Sequence, residues 1–316
     1  MNQTLLLETF QAEFDVVGVI QTQRYLDEAK KLGIDVPNVA YPTMVVLGLA
    51  YPKRIVKHTQ THLVSSFYTF GMDYHHVLKS RIKSVMMNFS YSYEMGVDNH
   101  PHDERLAATL SGVGYFGKNQ LIINKEYGTY IFLGIVFIDV TLEKEFVLKI
   151  DDDCGSCHKC IDACPTHALK EGRYEMEKCI SFFNQDKHTL SNDEIKANYL
   201  LFGCDICQMV CPKNIDKGVK THPEFALSGK ELVSITDLFT DSEKQFKSKY
   251  QDMAYLWKGK TILMRNALTL LLRQKNKQYN DLIGASLLKH HVPWYKDTAN
   301  RILEKLKDED NDEKRD

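Results

Sequence analysis

Residues 154–165 read CGSCHKCIDACP, and residues 204–212 read CDICQMVCP. The first stretch is C-x2-C-x2-C-x3-C-P, the spacing of two-cluster iron–sulfur proteins, whose fourth cysteine ligates the other cluster. The second is C-x2-C-x3-C-P. The chain holds 8 cysteines, and Cys179 is the only one outside these two runs. Two cubane clusters with four thiolates each use all of them. The crossing rule gives Cys154, Cys157, Cys160 and Cys211 to one [4Fe-4S] cluster, and Cys164, Cys179, Cys204 and Cys207 to the other. The proline after each fourth cysteine ends the loop and removes an amide donor that would need a partner. C-x2-C pairs also build tetrahedral zinc sites. Three cysteines in strict succession and two Cys-Pro endings favour clusters over zinc or disulfides.

The composition sets the bounds. At 316 residues the length suggests about two domains. A hydrophobic share of 43% is ample for a core. Met1 to Phe10 lacks a basic start and a cleavage site, so no signal peptide is expected. No run reaches the roughly 18 apolar residues of a membrane span. Thiolate clusters without an export signal imply a reducing cytoplasm. The net charge of -2 excludes a bulk polycation, so nucleic acid must be met by a local patch.

Working outward, residues 2–14 read as a helix leading into the buried strand pattern Asp15 to Ile20. Arg24 to Leu32 reads as a helix stopped by Gly33. Thr43 to Ala50 (TMVVLGLA) and Tyr130 to Val140 (YIFLGIVFIDV) are apolar strands, and residues 58–89 have a helical period broken near Gly71. This alternation predicts an α/β domain over 1–145. Residues 146–225 are expected to form a ferredoxin-like domain with two [4Fe-4S] clusters. Residues 226–307 form a helical region, including Thr261 to Arg273, Tyr279 to His290 and Trp294 to Leu306. The charged tail 308–316 is expected to be disordered.

Two clusters move electrons singly, and a ferredoxin needs far fewer residues. The domain before them is therefore expected to hold a further cofactor or a substrate. Gly112, Gly114 and Gly117 spell G-x-G-x-x-G, but no clean strand precedes them. The string reads instead as a tight turn next to a cofactor. Asp98-Asn99-His100 begins like a cobalt-ligating D-x-H motif, but Asp103 stands where glycine is required, so the match is rejected.

Several blocks together resemble the epoxyqueuosine reductase family of cobalamin- and iron–sulfur-dependent enzymes. They are Gly71-Met72-Asp73-Tyr74-His75 with Leu78 and Arg81; Val97-Asp98; Glu104 to Ala107; GVGYFGKN; and GTYIFLG. CGSCHKCIDACPTHAL, Cys179-Ile180-Ser181, CDICQMVCP and Arg265-Asn266-Ala267 complete the set. The similarity spans about residues 40–275. Tyr115 and Gly128-Thr129-Tyr130 depart from the tryptophan-bearing forms common in the family. The C-terminal helical region, HEAT-like by the resemblance, is shorter than in many relatives.

The resemblance implies reduction of epoxyqueuosine to queuosine at the tRNA wobble position, by cobalamin fed from the two clusters and an external one-electron reductant. It puts the proton donor on Asp98, which is then expected to be buried beside the corrin with a raised pKa. Arg105, Lys118 and Asn119 are expected to touch the corrin's arms. Ser181, Asp205 and Ile206 flank cluster ligands, and the resemblance lays the cofactor against their loop. Glu104 reads as a surface ion pair with Arg105. His75 and His76 read as packing residues, with Tyr74 lining the pocket. tRNA phosphate is expected to meet Lys213, Lys217 and Lys220, or Arg265, Arg273, Lys275 and Lys277.

The expected assembly is a cytoplasmic monomer. The enzyme rival is a cobalamin-dependent reductive dehalogenase. From other classes, the rivals are a two-cluster electron-transfer protein, carrying iron without cobalt, and a tRNA-binding protein with structural zinc.

Overall fold

The computed structural model describes residues 3–142, 144–150 and 152–312. The chain divides into two compact units, each built from separated segments. Unit one comprises Met1–Lys53, Asp73–Cys160 and Gln208–Phe225; unit two comprises Arg54–Met72, Ile161–Cys207 and Ala226–Asp316. The segment 146–225 is thus shared between both. Among the described residues, no helix is long and apolar enough to cross a membrane.

Unit one is organised on a four-stranded sheet, in the order Val16–Gln21, Thr43–Ala50, Ile131–Ile138, Tyr93–Gly96. All eight residues of Thr43–Ala50 are buried, as a continuous apolar run demands of a central strand. Every ladder of the sheet is antiparallel, with Val19 opposite Val45, Val46 opposite Ile135 and Met95 opposite Val136. This corrects the α/β expectation: the domain is α+β. The helix Thr22–Lys31 follows the first strand, but residues 32–42 then return without regular structure, so the next strand enters in the opposite direction. Gly18 and Gly48 permit close approach, since a Cβ there would sit 2.6 Å from the Ser111 Cβ and 2.4 Å from the Ile131 Cδ1.

The helix expected across 58–89 is confined to Tyr74–Met86, capped by Asp73. Upstream lie a short strand, His62–Val64, and a 3-10 turn, Phe67–Thr69. His62–Val64 pairs with Leu232–Ser234 inside unit two, a partner about 170 residues away that local periodicity does not reveal.

Unit two packs around Lys260–Arg273, whose residues 262–271 are all buried. Leu263, Leu268 and Leu271 meet Tyr295, Ile302 and Leu306 of the final helix, Pro293–Asp312, in one apolar cluster. That helix runs into the stretch expected to be disordered; residues 313–316 lie outside the described residues.

Candidate functional site

In unit one, Cys154, Cys157, Cys160 and Cys211 line one pocket with Lys118 and Asn119. Burial, then the neighbouring Cys211 and Cys154, push the Cys160 thiol up to about 11. Such a group stays neutral unless a metal takes its proton's place. The Lys118 N–H donates to the Cys154 sulfur at 3.4 Å. Asn119 is 5% exposed, and its Nδ2 is buried without a hydrogen-bond partner. An orphaned amide donor in the wall of a four-thiol pocket fits the sulfur acceptors that a cluster would bring.

The glycine string builds this wall. Gly112 has φ 74°, and a Cβ there would lie 1.9 Å from the Leu148 carbonyl oxygen. A Cβ at Gly114 or Gly117 would strike Ile122 or Asn119 at 2.5 Å. The string makes a tight hairpin, Tyr115–Phe116 with Ile122–Ile123, whose turn presents Lys118 and Asn119 to the thiols.

Unit two holds the other four thiols. Burial, together with the charge of Cys179, pushes Cys204 up to about 12, against the Ile206 N–H and the Tyr199 hydroxyl that favour its thiolate. The Tyr199 hydroxyl donates to the Cys204 sulfur at 3.6 Å and accepts from the Asp205 N–H at 2.7 Å. Burial opposes the Cys164 thiolate, but the N–H of Leu169 and the Thr166 hydroxyl outweigh it and lower its pKa. Burial pushes the Asp205 carboxyl up to about 7; it accepts from the Ser66 hydroxyl and from the Phe67 N–H at 3.4 Å. The Asp205 side chain and N–H are thus committed inside the unit.

Asp98 differs from expectation. Its side chain is 50% exposed. The hydrogen bond from His75, outweighing burial, holds its carboxyl below the usual carboxylate range. Its φ is 57°, a left-handed backbone rare outside glycine. The turn is held by the Asp98 N–H donating to Glu104 Oε1 at 3.0 Å and the His100 N–H donating to the Asp98 carbonyl at 2.7 Å. His75 Nε2 lies 3.1 Å from Asp98 Oδ2, and Nδ1 lies 2.6 Å from Asp73 Oδ1. Burial opposes the charge on His75, but Asp73 and Asp98 together push it up to about 9. His75 therefore carries a charge besides packing on Tyr74. Tyr74 lies between the rings of His75 and Phe132, at centroid distances of 4.0 and 4.2 Å.

A family model described as a 4Fe-4S double cluster binding domain matches residues 153–214, which contain all eight cysteines. This decides for two clusters over zinc. The chain is 33% identical, over 246 residues, to an epoxyqueuosine reductase of Lactococcus garvieae, covering 72% of this chain and 68% of the relative. The chain belongs to the epoxyqueuosine reductase family. It is an oxidoreductase. The solved epoxyqueuosine reductase of Streptococcus thermophilus superposes with a TM-score of 0.82 at 25% identity, covering 97% of this chain and 90% of that one. An epoxyqueuosine reductase crystallised with an epoxyqueuosine-modified tRNA-Tyr stem loop superposes with a TM-score of 0.78 at 25% identity, covering 96% and 98%.

Against this family background, the other expected residues separate. The Arg105 guanidinium stands 5.4 Å from the centre of the exposed Phe116 ring. Ser181 is half-buried, and its carbonyl accepts from Gln185 Nε2 at 2.6 Å. Glu104 is no surface partner of Arg105. Its side chain is mostly buried, faces His100 Nε2 at 3.1 Å, and is raised by burial. Arg265 is fully buried and donates to the carbonyls of Asp186, His188 and Phe183 at 2.6, 2.9 and 3.1 Å, so it is not a phosphate contact. Lys213 and Lys220 pair with Asp152 and Asp15. The signal for His75 was Asp-Tyr-His at a helix start, where a capping carboxylate also reaches a side chain two residues on.

Proposed function

We propose that this chain reduces epoxyqueuosine to queuosine at the wobble position of tRNA, with Asp98 delivering protons to the departing oxygen. Membership of the epoxyqueuosine reductase family carries the reading. The reaction takes an epoxide, two electrons and two protons to an alkene and water. Electrons enter from an external one-electron reductant through the two clusters, held by Cys154, Cys157, Cys160 and Cys211 and by Cys164, Cys179, Cys204 and Cys207.

The family's further cofactor is cobalamin, which when bound supplies a low-valent cobalt centre suited to the strained carbon–oxygen bond. The chain's own groups suit such a ligand. Asp98 is half-exposed on a strained turn, and Arg105 presents a cation over an exposed aromatic ring. Arg105, Lys118 and Asn119 are read as contacts to its polar arms, and the backbone at Ser181, Asp205 and Ile206 as its support. Asp98 must take up a proton before it gives one, because its resting carboxyl is ionised at neutral pH. The short helical region is read as HEAT-like, and the protein as a cytoplasmic monomer.

The test is metal analysis of anaerobically purified protein grown with cobalamin, followed by nucleoside analysis of epoxyqueuosine-containing tRNA after reaction. About eight irons and one cobalt per chain, with queuosine formed, support the reading. Eight irons without cobalt, even after reconstitution, and no queuosine would make it an electron-transfer protein.

A further inference from the structure

The resting arrangement leaves a question that the donor role of Asp98 does not answer. An ionised, half-exposed carboxylate has no proton to give. His75, whose Nε2 lies 3.1 Å from Asp98 Oδ2, has one.

The imidazole of His75 stands between two carboxylates. Asp73 caps the helix Tyr74–Met86, and its Oδ1 accepts both from the His75 N–H at 3.0 Å and from Nδ1 at 2.6 Å. A carboxylate only accepts, so Nδ1 carries a hydrogen. Nε2 points at Asp98 Oδ2 from 3.1 Å and carries the second one. Tyr74 stacks on the ring at 4.0 Å, and the His75 side chain is only 14% exposed, so its plane is fixed. The other charged or titratable groups facing this array are His76 toward Asp73, and Tyr74, His100 and Glu104 toward Asp98.

We propose that His75 is the proton store of the reaction, a positioning residue that recharges Asp98 through its Nε2–H while Asp73 holds Nδ1. The inference rests on the reading of Asp98 as proton donor. In each transfer the Nε2–H bond breaks as an O–H bond forms on Asp98, and that O–H then breaks as the departing oxygen takes the proton. His75 is left neutral with its hydrogen on Nδ1, and solvent reprotonates Nε2. Two passes supply the two protons that accompany the two electrons from the clusters.

The test uses the cluster-loaded full chain with Asp73→Asn, His75→Gln and Asp98→Asn. Asparagine is as good a helix cap as aspartate, so Asp73→Asn preserves the fold while removing the charge. Histidine-labelled protein is titrated by NMR, with the His75 signal identified by its loss in His75→Gln. The expected result is a His75 titration above pH 8 that falls by at least about one unit in Asp73→Asn and in Asp98→Asn. Turnover of epoxyqueuosine-containing stem loop should decline at high pH in the native chain, and at lower pH in Asp73→Asn. His75→Gln should lose about 10- to 100-fold in kcat and the high-pH decline, with KM unchanged. A His75 that titrates near 6.5, or that ignores Asp73→Asn, overturns the inference. So does a His75→Gln enzyme with native rate and pH profile. If these hold for His75 yet Asp98→Asn turns over normally, the donor reading falls and takes the proton store with it. A native chain that leaves epoxyqueuosine untouched overturns the functional reading itself.

Discussion

Asn214 and Thr129 grip each other twice: the Thr129 N–H donates to Asn214 Oδ1 at 2.8 Å, and Asn214 Nδ2 donates back to Thr129 Oγ1 at 2.8 Å. The same Nδ2 also donates to the Gln208 carbonyl at 2.8 Å. This buried knot ties the loop carrying Cys211 to the entrance of the strand Ile131–Ile138. Asn214→Leu orphans the buried Thr129 N–H and leaves the Gln208 carbonyl only the Cys211 N–H, which should cost about 2 kcal/mol. It should also loosen Cys211, so iron analysis should fall from about eight toward about four per chain. Full iron in this variant would separate Cys211 from the cluster.

Arg265 tests the difference between a buried cation and a phosphate contact. Arg265→Ala removes donors from three backbone carbonyls and opens a cavity, so thermal unfolding should show a loss of about 3 kcal/mol. The salt dependence of stem-loop affinity in Arg265→Lys should match the native chain, because the residue never meets solvent.

Asn119 should tune a cluster potential. Its orphaned Nδ2–H is placed to donate to sulfur, and such a bond favours the more negative reduced cluster. Asn119→Leu should therefore lower that potential by some tens of millivolts, taking about 1 kcal/mol for the bond. Redox titration followed by electron paramagnetic resonance reads the shift.

His75 gives a stability signature with a defined sign. Its folded pKa of about 9 lies above the ordinary 6.5, so its contribution is complete below pH 6.5 and is lost as pH rises through about 9. The shift corresponds to about 3 kcal/mol at full strength, and half-exposed Asp98 reduces this to about 2 kcal/mol. Urea midpoints of native and His75→Gln protein should differ most at pH 6 and converge by pH 10.

The cysteines were legible because ligation fixes their spacing, and the strand Thr43–Ala50 because a run buried on both faces is apolar from Met44 onward. The antiparallel direction of the sheet was not, since strand direction depends on connections that local periodicity does not record. Arg265 read as a surface cation because three backbone carbonyls folded around it leave no trace in sequence. Asp98 was placed from the resemblance, but its ionised state follows from His75, 23 residues earlier and brought near only by the fold. Glu104 went inward because the left-handed turn at Asp98 aims an N–H at it.

The exchange of members between the two cysteine runs has a consequence for assembly during synthesis. The ribosome makes Cys154, Cys157 and Cys160 first, yet the fourth thiol of their pocket is Cys211, the last cysteine to emerge. The set proposed for the other cluster, Cys164, Cys179, Cys204 and Cys207, is complete four residues sooner, although it starts later. A nascent chain thus exposes three open thiols throughout the translation of residues 161–210. Iron delivered early meets an incomplete cage, and neither cluster can close before residue 207 has left the tunnel.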